Sequence, residues 1–160
     1  ARVYGYVLGY GVVGEAYHMT APEPTGAEAA RVMANALERS GVRTEDVGWV
    51  NAHGTATPLN DVVETRAMKL VFGERAGAVP LVSTKALTGH CLGSAGAIEA
   101  VATVVSLNGG FIPGTLNFRG ADPECDLDYC HEGARESRAS VALSNSFAFG
   151  GNCTSLVLSL

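Results

Sequence analysis

Hydrophobic and polar positions change period several times along the chain, and each change predicts an element. Residues 2–13 (RVYGYVLGYGVV) are aromatic and β-branched with glycine at 5, 9 and 11. They predict a long strand, bent or bulged at glycine. Met19 to Pro24 is a Pro-bearing loop. Thr25-Gly-Ala-Glu28 has the spacing of a capping box, with Thr25 as N-cap and Glu28 reaching back. Ala30, Met33, Ala34 and Leu37 then recur at helical spacing, and Ser40-Gly41 stops that helix. Val47–Ala52 is a short apolar run, read as a buried strand that delivers His53 at its end. Thr57-Pro58 opens the next helix, with Leu59, Val63, Ala67 and Leu70 toward the core and Gly73 closing it. Val79–Val82 predicts a strand and Ser83–Gly93 an irregular polar loop. The small-residue stretch Gly93–Leu107 predicts a helix that buries Ile98, Val101, Ala102 and Val105 and stops at Asn108-Gly109-Gly110. Phe111–Glu124 is turn-rich, and Ser140–Ser144 and Cys153–Leu158 predict two strands joined by a turn.

The resulting order is β, α, β, α, β, α, β, β. It predicts an α/β fold in which helices pack on a mixed, five-stranded sheet, with residues 1–160 as one domain. The 160 residues, 47% of them hydrophobic, suffice for one core. The formal net charge of −5, with Lys and Arg scattered along the chain, offers no stripe for nucleic acid or an anionic membrane. No run reaches the ~20 apolar residues of a membrane span. The four cysteines form no CxxC pair, so no metal site is expected. A chain this long and apolar needs no disulfide staples, so reduced cysteines and a cytoplasmic location are expected. The chain opens at Ala1 inside a strand-like run, as a piece of a longer protein would.

Three segments carry candidate chemistry. In Asn51-Ala-His53-Gly-Thr55-Ala-Thr57-Pro58, a His leaves a buried strand and small residues precede a helix. Ligands of open α/β sheets bind beyond such strand ends, and a His there exchanges hydrogen bonds near neutral pH. A structural His capping the helix is the plain alternative. Ser83-Thr-Lys85-Ala-Leu-Thr-Gly-His90 places a Lys and a second His on one loop, with Glu99 following on a helix and able to reach Lys85. A solvated lysine and a capping His are the alternative. Asn145-Ser-Phe147-Ala-Phe149-Gly150-Gly151-Asn152 sets two aromatics beside a double glycine, the composition of a turn that aims a ring and an N–H into a cavity. A simple hairpin turn reads equally well there. His18, His131, Cys125 and Cys130 belong to no constellation and read as loop or packing residues. Asp61 and Glu64 share a helix face and read as a solvated or hydrogen-bonded pair rather than an acid/base dyad.

Taken in order, NAHGTATPLND (51–61), KALTGHCLGSAGAIE (85–99) and NSFAFGGN (145–152) resemble the C-terminal half of the β-ketoacyl-acyl-carrier-protein synthases. The resemblance implies half of a thiolase-like fold. It also implies a decarboxylating Claisen condensation of malonyl carrier protein with an enzyme-bound acyl thioester, in fatty acid, polyene or polyketide synthesis. By resemblance, His53 and His90 are the catalytic pair, Lys85 balances the site's charge, and Glu99 supports Lys85. Thr55 and Thr57 match residues that bind the phosphopantetheine arm. Phe149 matches the ring that gates the acyl pocket and, together with Phe147, binds substrate. Gly150 and Gly151 support that turn, and the Phe149 N–H would serve an oxyanion hole. No cofactor of the protein's own is implied, since phosphopantetheine arrives on the carrier. The implied partners are an acyl carrier protein, the N-terminal half, and a second subunit in a homodimer or heterodimer.

The chain departs from the family in four places. The nucleophilic cysteine lies in the N-terminal half and is not among the four here. Ala56 and Ala148 stand where Gly is usual, and Cys153 where Asn is common. Ala148 predicts a stiffer gating turn and a shifted acyl-chain preference. The alternative reading is a non-catalytic, chain-length-factor-like partner, against which the retained His53, Lys85 and His90 argue.

Overall fold

Side-chain alternation along the strands divides the central sheet into two packed faces. The computed structural model describes residues 1–160. Its strands are β1 (Tyr6–Gly14), β2 (Trp49–Asn51), β3 (Leu81–Val82), β4 (Phe111–Ile112), β5 (Arg135–Glu136), β6 (Val141–Ala148) and β7 (Asn152–Ser159). Its helices are α1 (Ala27–Ser40), α2 (Asn60–Phe72), the single turn α3 (Lys85–Thr88) and α4 (Ala95–Gly109). Five strands form the mixed sheet expected from sequence, in the order β1-β7-β6-β2-β3. The β1–β7 and β6–β7 pairs are antiparallel, and β2 runs parallel to both β6 and β3. Strands β4 and β5 make a separate small ribbon. On one face, α1 and α2 cover Val50, Leu143 and Val157 with Met33, Leu37, Met68 and Phe72. On the other, Trp49, Val82 and Ala142 pack with Leu107 of α4 and Ile112.

Glycine sets how closely α1 approaches the edge strand. A Cβ at Gly11 would lie 2.1 Å from the Val32 carbonyl oxygen, and one at Gly9 would lie 2.9 Å from Ser40. The expected bulge falls beside Gly9, where the β1–β7 register shifts between Val7 and Gly9.

Several local expectations are corrected. The capping box does not form. The cap of α1 is Gly26 in the left-handed region (φ 78°), and Glu28 pairs with Arg31. The carboxylate of Glu23 takes over the capping, accepting from the N–H groups of Thr25 (2.9 Å) and Ala27 (3.2 Å). Ala34 is exposed and Ala36 is buried instead. Helix α2 begins at Asn60, two residues after Pro58, so Leu59 and Leu70 lie outside its core face. The polar loop after β3 contains the turn α3 and a short 3-10 turn at Leu92–Ser94.

Helix α4 shows the largest inversion. It buries Ala95, Glu99, Thr103, Ser106 and Leu107, while Val101 is 65% and Val105 56% exposed and Ile98 also faces outward. Glu99 and Thr103 turn inward because buried polar partners await them there. The apolar side of α4 is left uncovered as a result. Tyr10 and Val12 of the edge strand, on the sheet face opposite α1, are also exposed.

Candidate active site

Both histidine segments start where the parallel strands end. Asn51, the last residue of β2, is fully buried. Its Nδ2 donates to Thr84 Oγ1 (3.2 Å), Glu99 O (3.2 Å) and Thr103 Oγ1 (2.9 Å), and its Oδ1 accepts from Thr84 N–H (3.2 Å). One amide thus ties the end of β2 to the residues after β3 and to α4. Two residues on, the backbone N–H groups of His53 and Gly54 donate to Glu64 Oε1 (2.9 Å) and Oε2 (3.0 Å). Asn145 Nδ2 adds a third donor to Glu64 Oε1 (3.1 Å). Glu64 is 1% exposed, and burial pushes its pKa up against the pull of these donors. Gly54 is required for the turn, because a Cβ there would lie 2.5 Å from that of Ser83.

The rings of His53 and His90 meet edge to face, with centroids 5.7 Å apart and planes at 85°. Phe147 packs against His53 with ring centroids 5.5 Å apart. His53 is buried and its Nδ1 has no partner. Burial first, then the Lys85 charge and the neighbouring His90, lower its pKa to about 3, so the ring is neutral at physiological pH. His90 is exposed, and its Nδ1 accepts the Leu92 N–H at 3.3 Å. An accepting Nδ1 leaves the ring proton on Nε2. Leu92 reaches that position in the left-handed region, φ 52°. Behind the histidines Lys85 Nζ pairs with Glu99 Oε1, both side chains being almost wholly buried. Burial raises the Glu99 pKa, Lys85 lowers it, and the remaining oxygen of Glu99 has no partner.

A cavity of about 1090 Å³ opens beside this pair. Thr55, Thr57, Lys85 and His90 line it, together with the segment 115–122, Tyr129 and His131. The Thr55 and Thr57 hydroxyls are 3.0 Å apart. Ala56 between them is left-handed, φ 56°. The structure therefore groups His53, His90, Lys85, Glu99, Thr55, Thr57 and Phe147. Phe149 is set apart, 78% exposed on the turn after β6. Gly150 and Gly151 hold that turn with φ of 80° and 75°. Gly150 N–H donates to Met19 O and Glu15 N–H to Gly151 O, both at 2.7 Å, which clasps the turn to residues 15–19. A Cβ at Gly151 would lie 1.8 Å from Glu15 O.

The four cysteines are free. Burial and the nearby Glu15 charge push the Cys153 thiol up to about 12, so it packs as a neutral group. Sequence reasoning undervalued Glu64. Asp61 and Glu64 each accept hydrogen bonds, but from other residues and not from one another, and Glu64 is buried beneath the His53 backbone rather than solvated. The available signal was its place beside Val63 and one turn after Asn60, on a helix that follows the His53 loop.

Comparison with known proteins places this geometry in a family. Residues 4–119 match the family described as Beta-ketoacyl synthase, C-terminal domain. A 3-oxoacyl-[acyl-carrier-protein] synthase 2 of Synechocystis sp. is 50% identical over 156 residues, 98% of this chain and 38% of that protein. Its namesake from Coxiella burnetii is 43% identical over 99% of this chain and 38% of its own length. Among solved structures, a type II PKS acyl-carrier protein in complex with its ketosynthase bound to the hexaketide aligns with a TM-score of 0.96 at 36% identity. That alignment covers 99% of this chain and 39% of the matched one. A β-ketoacyl synthase from Burkholderia phymatum gives 0.91 at 39% identity, over 99% and 38%. The chain thus spans well under half the length of these relatives and has the fold of the second half of thiolase-like ketosynthases. No helix is long and apolar enough to cross a membrane. By sequence along nearly its whole length and by fold, the chain belongs to the β-ketoacyl synthase family as a C-terminal domain.

Proposed function

We propose that this domain supplies the two-histidine half of a site for decarboxylating Claisen condensation. The donor is a malonyl thioester on the phosphopantetheine arm of a carrier protein. The acceptor is an acyl thioester on a cysteine of an N-terminal half. The observation that carries the reading is the edge-to-face histidine pair, with His53 neutral and His90 Nδ1 occupied by the Leu92 N–H. Decarboxylation breaks the malonyl C–C bond and releases CO2. The electron pair left behind becomes an enolate with charge on the thioester oxygen. Ring N–H donors aimed at that oxygen stabilise the charge as it develops. The enolate carbon then attacks the acyl carbonyl, and the cysteine leaves as thiolate.

The other residues take supporting roles. The buried Lys85–Glu99 pair fixes the electrostatics behind the histidines. Thr55 and Thr57 line the cavity that would receive the arm. Phe147 buttresses His53. The turn carrying Phe149, Gly150 and Gly151 would gate the acyl chain, with the Phe149 N–H serving the acyl oxygen. Partners under this reading are the acyl carrier protein, the N-terminal half and a second subunit. The exposed apolar faces of α4 and β1 are the surface on which the N-terminal half would pack.

The test is CO2 release from malonyl carrier protein by the full-length protein. His53→Ala and His90→Ala are each expected to slow it by ~100-fold or more. Release unaffected by both changes would overturn the reading, and a full-length protein that never releases CO2 would favour the chain-length-factor-like partner.

A further inference from the structure

The cavity lining carries a cation that no ion pair or side-chain hydrogen bond in the protein engages. Lys85 and Arg119 are the Lys and Arg residues lining the cavity. Lys85 is spent on Glu99. Arg119 enters no ion pair and no side-chain hydrogen bond, although the protein carries 16 acidic residues against 11 Lys and Arg. The acids lining the same cavity are engaged elsewhere. Glu64 is taken by the His53 and Gly54 N–H groups, and Asp61 accepts from Ala56 N–H and Asn60. Asp126 pairs with Lys69, and Asp122 caps the Glu124 N–H.

The segment holding Arg119 is fixed on both sides. Upstream, Thr115 N–H donates to Cys130 O (3.1 Å), and the left-handed Asn117 (φ 61°) turns the chain. The Phe118 ring then stacks on His131, which also lines the cavity, with centroids 4.9 Å apart. Downstream, Arg66 pairs with Glu124 and Lys69 with Asp126, pinning the strap to α2. The backbone that carries Arg119 is thereby anchored beside the cavity, and its exposed guanidinium is unpaired.

We propose that Arg119 is a specificity-determining residue that binds the phosphodiester of the substrate's pantetheine arm where the arm enters the cavity. This rests on the reading that the substrate is a phosphopantetheine thioester. The guanidinium fork matches a phosphate's two free oxygens. The thioester then extends past Thr55 and Thr57 toward His90.

The experiment is calorimetric binding of the methyl diester of phosphopantetheine, which keeps the arm's phosphodiester, and of pantetheine, its phosphate-free counterpart, to the full-length protein, alongside CO2 release from the malonyl thioesters of both. Wild type is expected to bind the phosphorylated arm about tenfold tighter. Arg119→Ala should abolish that ratio while leaving pantetheine binding unchanged, and Arg119→Lys should restore part of it. Arg119 is exposed, so these variants should fold. Equal affinity of wild type for the two arms, or the same loss for both arms in Arg119→Ala, overturns the subsite. Displacement of the methyl diester by equimolar inorganic phosphate would also overturn it, since the site would then read phosphate and not the arm. A wild type that binds the phosphorylated arm selectively yet releases no CO2 leaves the subsite standing and fails the condensation reading instead.

Discussion

At the residue scale the site is governed by where protons are held. His53 is a buried base whose pKa falls to about 3, below its ordinary value near 6.5. Below about 6.5 the unfolded chain takes up a proton that the folded one refuses. Stability attributable to His53 is therefore complete above that pH and falls as pH drops from about 6.5 through about 3. Urea midpoints between pH 7 and pH 4 should fall less in His53→Gln than in wild type, and a slope equal to that of wild type would contradict this. The carboxyl of Glu64 holds the strand end that presents His53. Glu64→Ala leaves several buried N–H donors without partners and should destabilise by ~3–5 kcal/mol. Chemical denaturation reads that loss, and His53 should lose its fixed ring environment in NMR spectra of the same variant.

At the element scale, termini and turns decide what the helices and strands present. The turn after β6 is clasped to residues 15–19 by two 2.7 Å backbone bonds. Ala148 ends β6 with φ outside the left-handed region, so its methyl costs the turn no strain while narrowing its conformational range. Ala148→Gly should loosen the turn and shift the acyl-chain-length profile of the full-length protein. Product analysis by mass spectrometry that finds the same profile would sink this expectation. Ala56 differs, because it occupies φ 56°. Such a position costs an L-residue ~1–2 kcal/mol, and glycine avoids that cost but loses backbone entropy. Ala56→Gly should therefore raise the unfolding free energy by a few tenths to ~1 kcal/mol, read from urea titration.

At the scale of the whole molecule, the three layers leave one side unfinished. Helices α1 and α2 close one face of the sheet. On the other face α4 turns Ile98, Val101 and Val105 outward, near an edge strand that also exposes Tyr10 and Val12. Exposed apolar surface of this kind marks an interface. The 160-residue chain produced alone should self-associate, and Val101→Lys with Val105→Glu should reduce that association in sedimentation experiments. In the full-length protein the same pair should destabilise by ~2 kcal/mol or more, as expected for charges placed in a buried contact. A double variant as stable as wild type would show that this face stays in water.

Sequence alone determined the α/β order, the mixed five-stranded sheet and the segments that meet at the site. Those features follow from local periodicity, glycine stops and motif order, which neighbouring residues impose on one another. Tertiary structure decided what local pattern could not. It turned Glu99 and Thr103 inward against Asn51 and Lys85, because buried polar groups must find partners and those partners lie on other elements. It gave the capping of α1 to Glu23 rather than Glu28, and it buried Glu64 beneath the backbone of His53. It also left Arg119 unpaired beside a cavity whose carboxylates are already engaged. Charge balance at a site depends on distances between segments far apart in the chain, and spacing along the chain does not encode those distances.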